Sequence, residues 1–244
     1  MTALSVNVNK LALLRNSRGR NYPDLLHFVE RFIALGVQGI TIHPRPDERH
    51  IRRQDAYDLA ALLKEHPEIE FNIEGYPSDD FLQLIADIKP HQCTLVPDTA
   101  TQLTSDHGWD CGADKGFLRH TCHVIRKLGV RVALFLDPDA DQAGHAAALG
   151  AQRIELYTEE YARAFGKPAQ AHVLHHYVTA ARTAQQLGMG VNAGHDLDLQ
   201  NLPTFLQIPG ILEVSIGHAL MVESIELGMN HVIGRYLDIC KNSA

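Results

Sequence analysis

Cysteine is scarce in this chain and poorly placed for pairing: Cys93, Cys111, Cys122 and Cys240 are the only four among 244 residues, and none forms a CxxC. Thiols so few and unpatterned fit reduced, structural positions, and no disulfide is expected. A basic surplus is also missing. The formal net charge of −7 argues against nonspecific nucleic-acid binding, although a local basic cluster can still hold a small phosphorylated ligand. No apolar run approaches the roughly 18 residues of a membrane span, and the opening MTALSVNVNK lacks the long apolar core of a signal peptide. The expected compartment is the cytoplasm, with neither membrane nor nucleic acid as a partner. Internal repeats, low-complexity tracts and an HExxH motif are absent as well. His120 and His123, or His172, His175 and His176, have spacings that a helix can present to a metal, but no recognised ligand set accompanies them, so no metal site is expected.

What is present reads as a soluble globular protein, with 45% hydrophobic and 21% charged residues. Its length is close to the roughly 250 residues of a single β/α barrel. The stretch GITIHPRPDERH, Gly39 to His50, sets the theme. Gly39-Ile-Thr-Ile is a β-branched run suited to a buried strand, and it turns to polar loop at His43, Pro44 and Arg45. Similar transitions recur: SVNVN carries Asn7, EFNIE ends on Glu74, RIELY holds Glu155, VNAGH ends on His195 and EVSIGH on His218. Strands that deliver functional groups at their carboxyl ends are the layout of a β/α barrel. The expected fold is therefore α/β, a single (β/α)8 TIM barrel with extra helices, in one domain over residues 1–244.

The intervening segments fit that plan. Pro23-Asp24 can open a helix whose apolar face is Leu25, Phe28, Val29, Phe32 and Ile33, with Gly36 closing it. Ser78 and Asp79 are capping candidates for a helix running to about Lys89. Gly129 and Gly150 stop two more. Arg15 to Pro23 reads as a polar loop whose Arg15, Arg18 and Arg20 invite an anion, though a solvated loop accounts for the same residues. The stretch from Pro97 to Lys115 is too long for an ordinary connection and is expected to be an active-site loop or lid. Between the strands at Arg153 and Gly190 lie a short helix and a long one, which implies an extra helix on the rim.

His43, Glu74, Glu155 and His195 are the acid/base candidates. An imidazole titrates near neutrality, and a carboxyl in a barrel mouth can be raised toward the same range. Any one of them alone fits a hydrogen-bonded structural role equally well; four at corresponding strand ends favour catalysis. After the last strand, Ser215-Ile-Gly217-His218 runs into a helix start, where unpaired N–H groups and the helix dipole favour a phosphate. Gly194-His195 supplies the adjoining loop.

The strings VNVNKLALLRNSRG, GITIHPRPDERHI, NIEG, KPHQCTLVP, VNAGHDL and IGHAL together resemble the pyridoxine 5′-phosphate synthase family of the deoxyxylulose-dependent vitamin B6 pathway, collinearly over nearly the whole chain. The resemblance implies a β/α barrel with additional helices, a homo-octamer, and no cofactor or metal. It implies joining of two small phosphorylated substrates, 1-deoxy-D-xylulose 5-phosphate and 3-amino-2-oxopropyl phosphate, to give pyridoxine 5′-phosphate, phosphate and water. By resemblance His43 and Glu74 look like proton acceptors, His195 like a proton donor, and Glu155 like a stabiliser of charged intermediates. Arg45, His50 and Thr104 resemble the residues that hold the deoxyxylulose phosphate, and Asn7, Arg18, Asp196, Gly217 and His218 those that hold the aminoketone phosphate. Asn9-Lys10 stands where many members have Asp-His, and Asp196 often corresponds to Gly. Two other functions fit a barrel of this kind: a sugar-phosphate epimerase or isomerase, or a phosphate-ligand binding protein on a catalytically silent scaffold, which would lack the acid/base residues found here.

Overall fold

The computed structural model describes residues 1–98, 102 and 104–243. Eight parallel strands close into a barrel in sequence order: β1 (Ala3–Asn7), β2 (Gly39–Ile42), β3 (Glu70–Gly75), β4 (Gln92–Leu95), β5 (Arg131–Leu136), β6 (Arg153–Tyr157), β7 (Gly190–Gly194) and β8 (Ile211–Ile216). Closure comes from β1 pairing with both β2 and β8. Among the described residues no helix is long and apolar enough to cross a membrane.

The helices cover the strands' outer face. They are α1 (Asn9–Asn16), α2 (Leu25–Ala34), α3 (Arg53–Leu63), α4 (Asp79–Ile88), α5 (Lys115–Lys127), α6 (Ala140–Leu149), α7 (Glu159–Ala164), α8 (Gln170–Gln186), α9 (Leu202–Phe205), α10 (His218–Leu227) and α11 (Met229–Lys241). Their boundaries follow local chemistry. The Asp24 carboxylate accepts from the Leu26 and His27 N–H groups to cap α2, the Ser78 hydroxyl caps α4, and Gly150 at φ 88° ends α6. α7 is the extra rim helix between β6 and α8.

Side-chain alternation along each strand explains the packing. Leu4, Val6, Ile40, Ile42, Ile73, Leu95, Leu134, Leu156 and Ile216 are all buried in one apolar core with the helices. Many of their neighbours turn inward and are polar, with Ala133 and Phe135 of β5 the apolar exceptions. Ser5 Oγ lies 2.8 Å from Thr41 Oγ1, Asn72 Nδ2 donates to Thr41 Oγ1 at 3.4 Å, and Thr94 Oγ1 donates to Asn72 Oδ1 at 3.0 Å. Toward the strands' amino ends, Arg131 is paired with Glu70 and donates to Gln92 at 2.9 Å, while Arg153 donates to Asn192 at 3.1 Å and Glu213 at 3.3 Å. All four cysteines are buried and unpaired.

One segment differs from the sequence pattern. The stretch after β1 forms α1, which extends into what reads as polar loop, and Arg15 is buried rather than offered to an anion. Its guanidinium donates to both carboxylate oxygens of Asp55, at 2.6 and 2.7 Å, and to the His50 carbonyl at 3.3 Å. A buried cation takes the one carboxylate that satisfies its planar fork, and that partner lies far away in sequence. The pair ties α1 to α3 and to the loop carrying His50. Asp55→Ala leaves a buried guanidinium uncompensated and is expected to cost about 3–5 kcal/mol; urea denaturation of the two proteins measures it.

Candidate active site

The functional side chains gather where the strands end. His43 follows β2 directly, and its backbone N–H donates to Asn9 Oδ1 at 2.9 Å, which fastens the turn to the start of α1. The ring is buried between two carboxyls: Nδ1 lies 3.7 Å from Glu74 Oε2 and Nε2 lies 3.9 Å from Asp98 Oδ2. Both separations exceed a hydrogen bond but lie within Coulombic reach. Asn7 at the end of β1 donates to the same Glu74 oxygen at 3.5 Å.

Burial decides the charge states. It holds His43 well below the usual imidazole range, reinforced by the charges of Arg45, His50, His195 and Arg49. Burial raises Glu74 well above the carboxylate range, helped by Glu155, Asp98 and Glu213. Glu155 is pushed up to about 7 by burial, against a hydrogen bond with Thr94 that lowers it. A depressed imidazole and raised carboxyls lie close together, each favouring its uncharged form, a perturbation typical of groups that exchange protons. Gly194 allows this crowding, because a Cβ there would fall 2.4 Å from Glu155 Oε1.

His195 and Asp196 follow β7 in left-handed backbone, at φ 76° and 55°, a conformation uncommon outside glycine. Thr158 holds it, its hydroxyl reaching the Gly194 carbonyl at 2.7 Å and also the His195 carbonyl. Asn201 donates to the Asp196 carbonyl at 3.0 Å. The His195 ring packs against Phe135 and Tyr157, with centroids at 5.5 and 5.2 Å, and burial lowers its pKa, against the charges of Asp196 and Asp98.

On the opposite side Arg45 donates to the Gln102 carbonyl at 2.7 Å and pairs with Asp98. His50 is lowered to about 4, chiefly by burial; its Nδ1 accepts from the Ile51 N–H at 2.9 Å, so its Nε2 carries the hydrogen and acts as a donor. A cavity of about 520 Å³ opens from His43, Arg45 and Asp98 toward Arg53, with Phe81 and Leu84 in its wall. The Phe81 ring lies against backbone, 2.3 Å from where a Cβ on Gly75 would stand.

Of the residues singled out in the sequence, His43, Arg45, His50, Glu74, Glu155 and His195 are brought into this buried mouth, with Asn7 beside them. Gly217, the N-cap of α10, lies close to Asn7 and has no side-chain cap on its helix. Arg18, Thr104, Asp196 and His218 are exposed at the rim. The expected lid between Pro97 and Lys115 includes residues 99–101 and 103, which lie outside the described residues. Asp98 escaped notice in that loop. It stands two residues after Val96, a strand-end position of the kind that marks His43 and His195, and Ser105 donates to it at 2.7 Å.

A family-wide sequence profile described as "Pyridoxal phosphate biosynthesis protein PdxJ" matches residues 4–242. The chain belongs to this family. The pyridoxine 5′-phosphate synthase of Bacteroides fragilis strain YCH46 is 50% identical over 97% of this chain and 98% of its own, and that of Porphyromonas gingivalis is 49% identical over 98% of each. Among solved structures, phosphoribosyl anthranilate isomerase from Thermus thermophilus superposes with a TM-score of 0.59 at 12% identity, covering 98% of this chain and 100% of that one. That likeness carries the fold alone.

Glu155 also makes the stability of the fold depend on pH. The folded protein keeps this carboxyl protonated up to about 7, whereas the ordinary value is 4.5. Between those values the folded state binds more protons than the unfolded one, so stability from this group is full at low pH and falls as pH rises through about 7. Glu155→Gln removes the titration. The variant is expected to gain on the parent by about 3 kcal/mol between about pH 4 and pH 8, as read from denaturant melts at each pH.

Proposed function

We propose that the protein condenses 3-amino-2-oxopropyl phosphate with 1-deoxy-D-xylulose 5-phosphate and closes the ring to give pyridoxine 5′-phosphate, phosphate and water. The observation that carries this reading is the buried set of His43, Glu74 and Glu155, in which burial depresses the imidazole and raises both carboxyls. Family membership and the names of the relatives support it.

In this reading the aminoketone phosphate sits at the start of α10, against first-turn N–H groups, with Asn7, Gly217, His218, the Asp196 backbone and Arg18 around it. The deoxyxylulose phosphate sits at Arg45 and His50, with Thr104 closing on it. Arg45 supplies fixed charge and His50 supplies an Nε2–H. Two dianions at opposite sides of the mouth place the reacting carbons between them, over His43 and Glu74. Neutral His43 takes a proton as the new bonds form, and Glu74, which burial keeps largely in its acid form, takes one through its ionised fraction. His195, neutral under burial, first accepts a proton and then returns it to a departing hydroxyl; a bound phosphate makes it more basic. Glu155 answers the positive charge of an iminium, and its proximity to Glu74 ensures that the two carboxyls do not ionise together without cost. No cofactor or metal is called on.

We further propose that residues 1–244 act as one barrel domain in the cytoplasm and that the chain assembles as a homo-octamer. Leu14 on α1 and Ile225 on α10, 58% and 83% exposed, are apolar groups that an assembly would cover.

Purified protein given both substrates is expected to form pyridoxine 5′-phosphate with no loss of rate in the presence of a chelator; consumption of one substrate alone, or sensitivity to the chelator, would instead indicate a sugar-phosphate isomerase. Glu74→Gln should fold normally and lose about 100-fold to 10,000-fold in turnover, by steady-state kinetics. Gly217→Val tests the first phosphate seat. A Cβ at Gly217 would lie 3.1 Å from Asn7 Cβ and 3.2 Å from its carbonyl oxygen, so the larger side chain shifts Asn7 and the helix start together. The Michaelis constant for the aminoketone phosphate should rise several-fold more than that for the deoxyxylulose phosphate. Equal weakening toward both would place that phosphate elsewhere.

A further inference from the structure

Asp98 has no place in the proton transfers proposed above, yet it stands at their junction. Its side chain is 6% exposed as a residue and lies between loops from two strands. One oxygen, Oδ2, pairs with Arg45, accepts from Ser105 Oγ at 2.7 Å and stands 3.9 Å from His43 Nε2. The other oxygen, Oδ1, is buried with no hydrogen-bond partner among the described residues. A buried carboxylate normally satisfies both oxygens, so a spare one is costly unless it has a use.

We propose that Asp98 is a positioning residue that links the phosphate seat at Arg45 to His43: it holds the guanidinium until a phosphate takes Arg45, and then turns to His43 Nε2. This rests on the deoxyxylulose phosphate seat proposed above. A carboxylate on the guanidinium that a dianion must reach competes with that dianion, and two anions on one side of Arg45 repel each other. Asp98 is too buried to turn into water. Another group able to bear positive charge within 4 Å of it is His43, at 3.9 Å, and rotation about the carboxyl bond brings Oδ1 into play while Ser105 keeps its hold.

The consequence falls on His43. The groups facing it are Arg45, Arg49 and His50 from its own loop, Glu74 from β3, Asp98 from the loop after β4 and His195 from β7. Arg45 is the largest of the charges that depress it. A phosphate on Arg45 cancels that charge, and a carboxylate arriving at Nε2 adds an attraction for the proton. His43 therefore becomes a stronger base only once its substrate is seated, which couples binding to basicity.

Asp98→Asn separates this role from a merely structural clamp. The amide keeps the shape and the Ser105 hydrogen bond but no longer competes for the phosphate or attracts a proton on His43. Calorimetric titration with 1-deoxy-D-xylulose 5-phosphate should show binding tightened by about 5-fold or more, while kcat falls by at least about 5-fold. The acid limb of the kcat profile should move to lower pH, and Asp98→Glu should restore part of both. Weaker binding together with slower turnover, or no change in either, overturns the inference and leaves the reaction intact, provided the parent protein makes pyridoxine 5′-phosphate in the same assay. A parent protein that makes none overturns both.

Discussion

Polar side chains line the inside of this barrel, most of them cut off from bulk water, so each must be satisfied across the ring or change its protonation state. The two ends of the barrel solve this differently. At the amino ends, Arg131 and Arg153 meet Glu70 and Glu213, so cations face the carboxyls, although burial still pushes Glu213 up to about 8. At the carboxyl ends the carboxyls are crowded together without a full complement of cations. There Glu74 and Glu155 rise instead of pairing.

The helices also fix the geometry of the mouth from behind the strands. Leu25, Val29 and Phe32 of α2, and Leu84 and Ile85 of α4, belong to the buried core, and close packing there leaves the strands little room to spread. Separations of 3.7 and 3.9 Å around His43 are tuned by backbone that the core fixes. The Arg15–Asp55 pair does the same for the loop bearing His50, from outside the mouth.

Much of the fold could be read from local pattern. Apolar and β-branched runs that end on polar residues marked the strands at Asn7, Gly39, Glu74, Glu155, His195 and His218, and Asp24, Ser78, Gly129 and Gly150 marked helix ends because capping is chemistry between near neighbours. Arg15 could not be read that way, since its partner Asp55 is forty residues distant in the chain and an Arg in a polar stretch ordinarily faces solvent. The strand-end rule found His43, Glu74, Glu155 and His195, all brought to the mouth. It would also have found Asp98 had the long polar stretch after Val96 not been treated as a unit. Backbone geometry was beyond reach: nothing in VNAGHDL announces that His195 and Asp196 are left-handed, because that conformation is imposed by Thr158 and Asn201 from other segments.

The contact of Phe81 with the Gly75 backbone limits how this cavity can be re-engineered. Any side chain at position 75 would strike the ring, so the strand offers no residue through which the wall could be thickened or moved. Change has to come from α4, at Phe81 or Leu84. Shortening Phe81 would enlarge the space beside Arg45 and simultaneously free position 75 to accept a methyl group. A library aimed at reshaping this cavity should therefore vary positions 75 and 81 together, because position 75 admits a side chain only once the Phe81 ring is shortened.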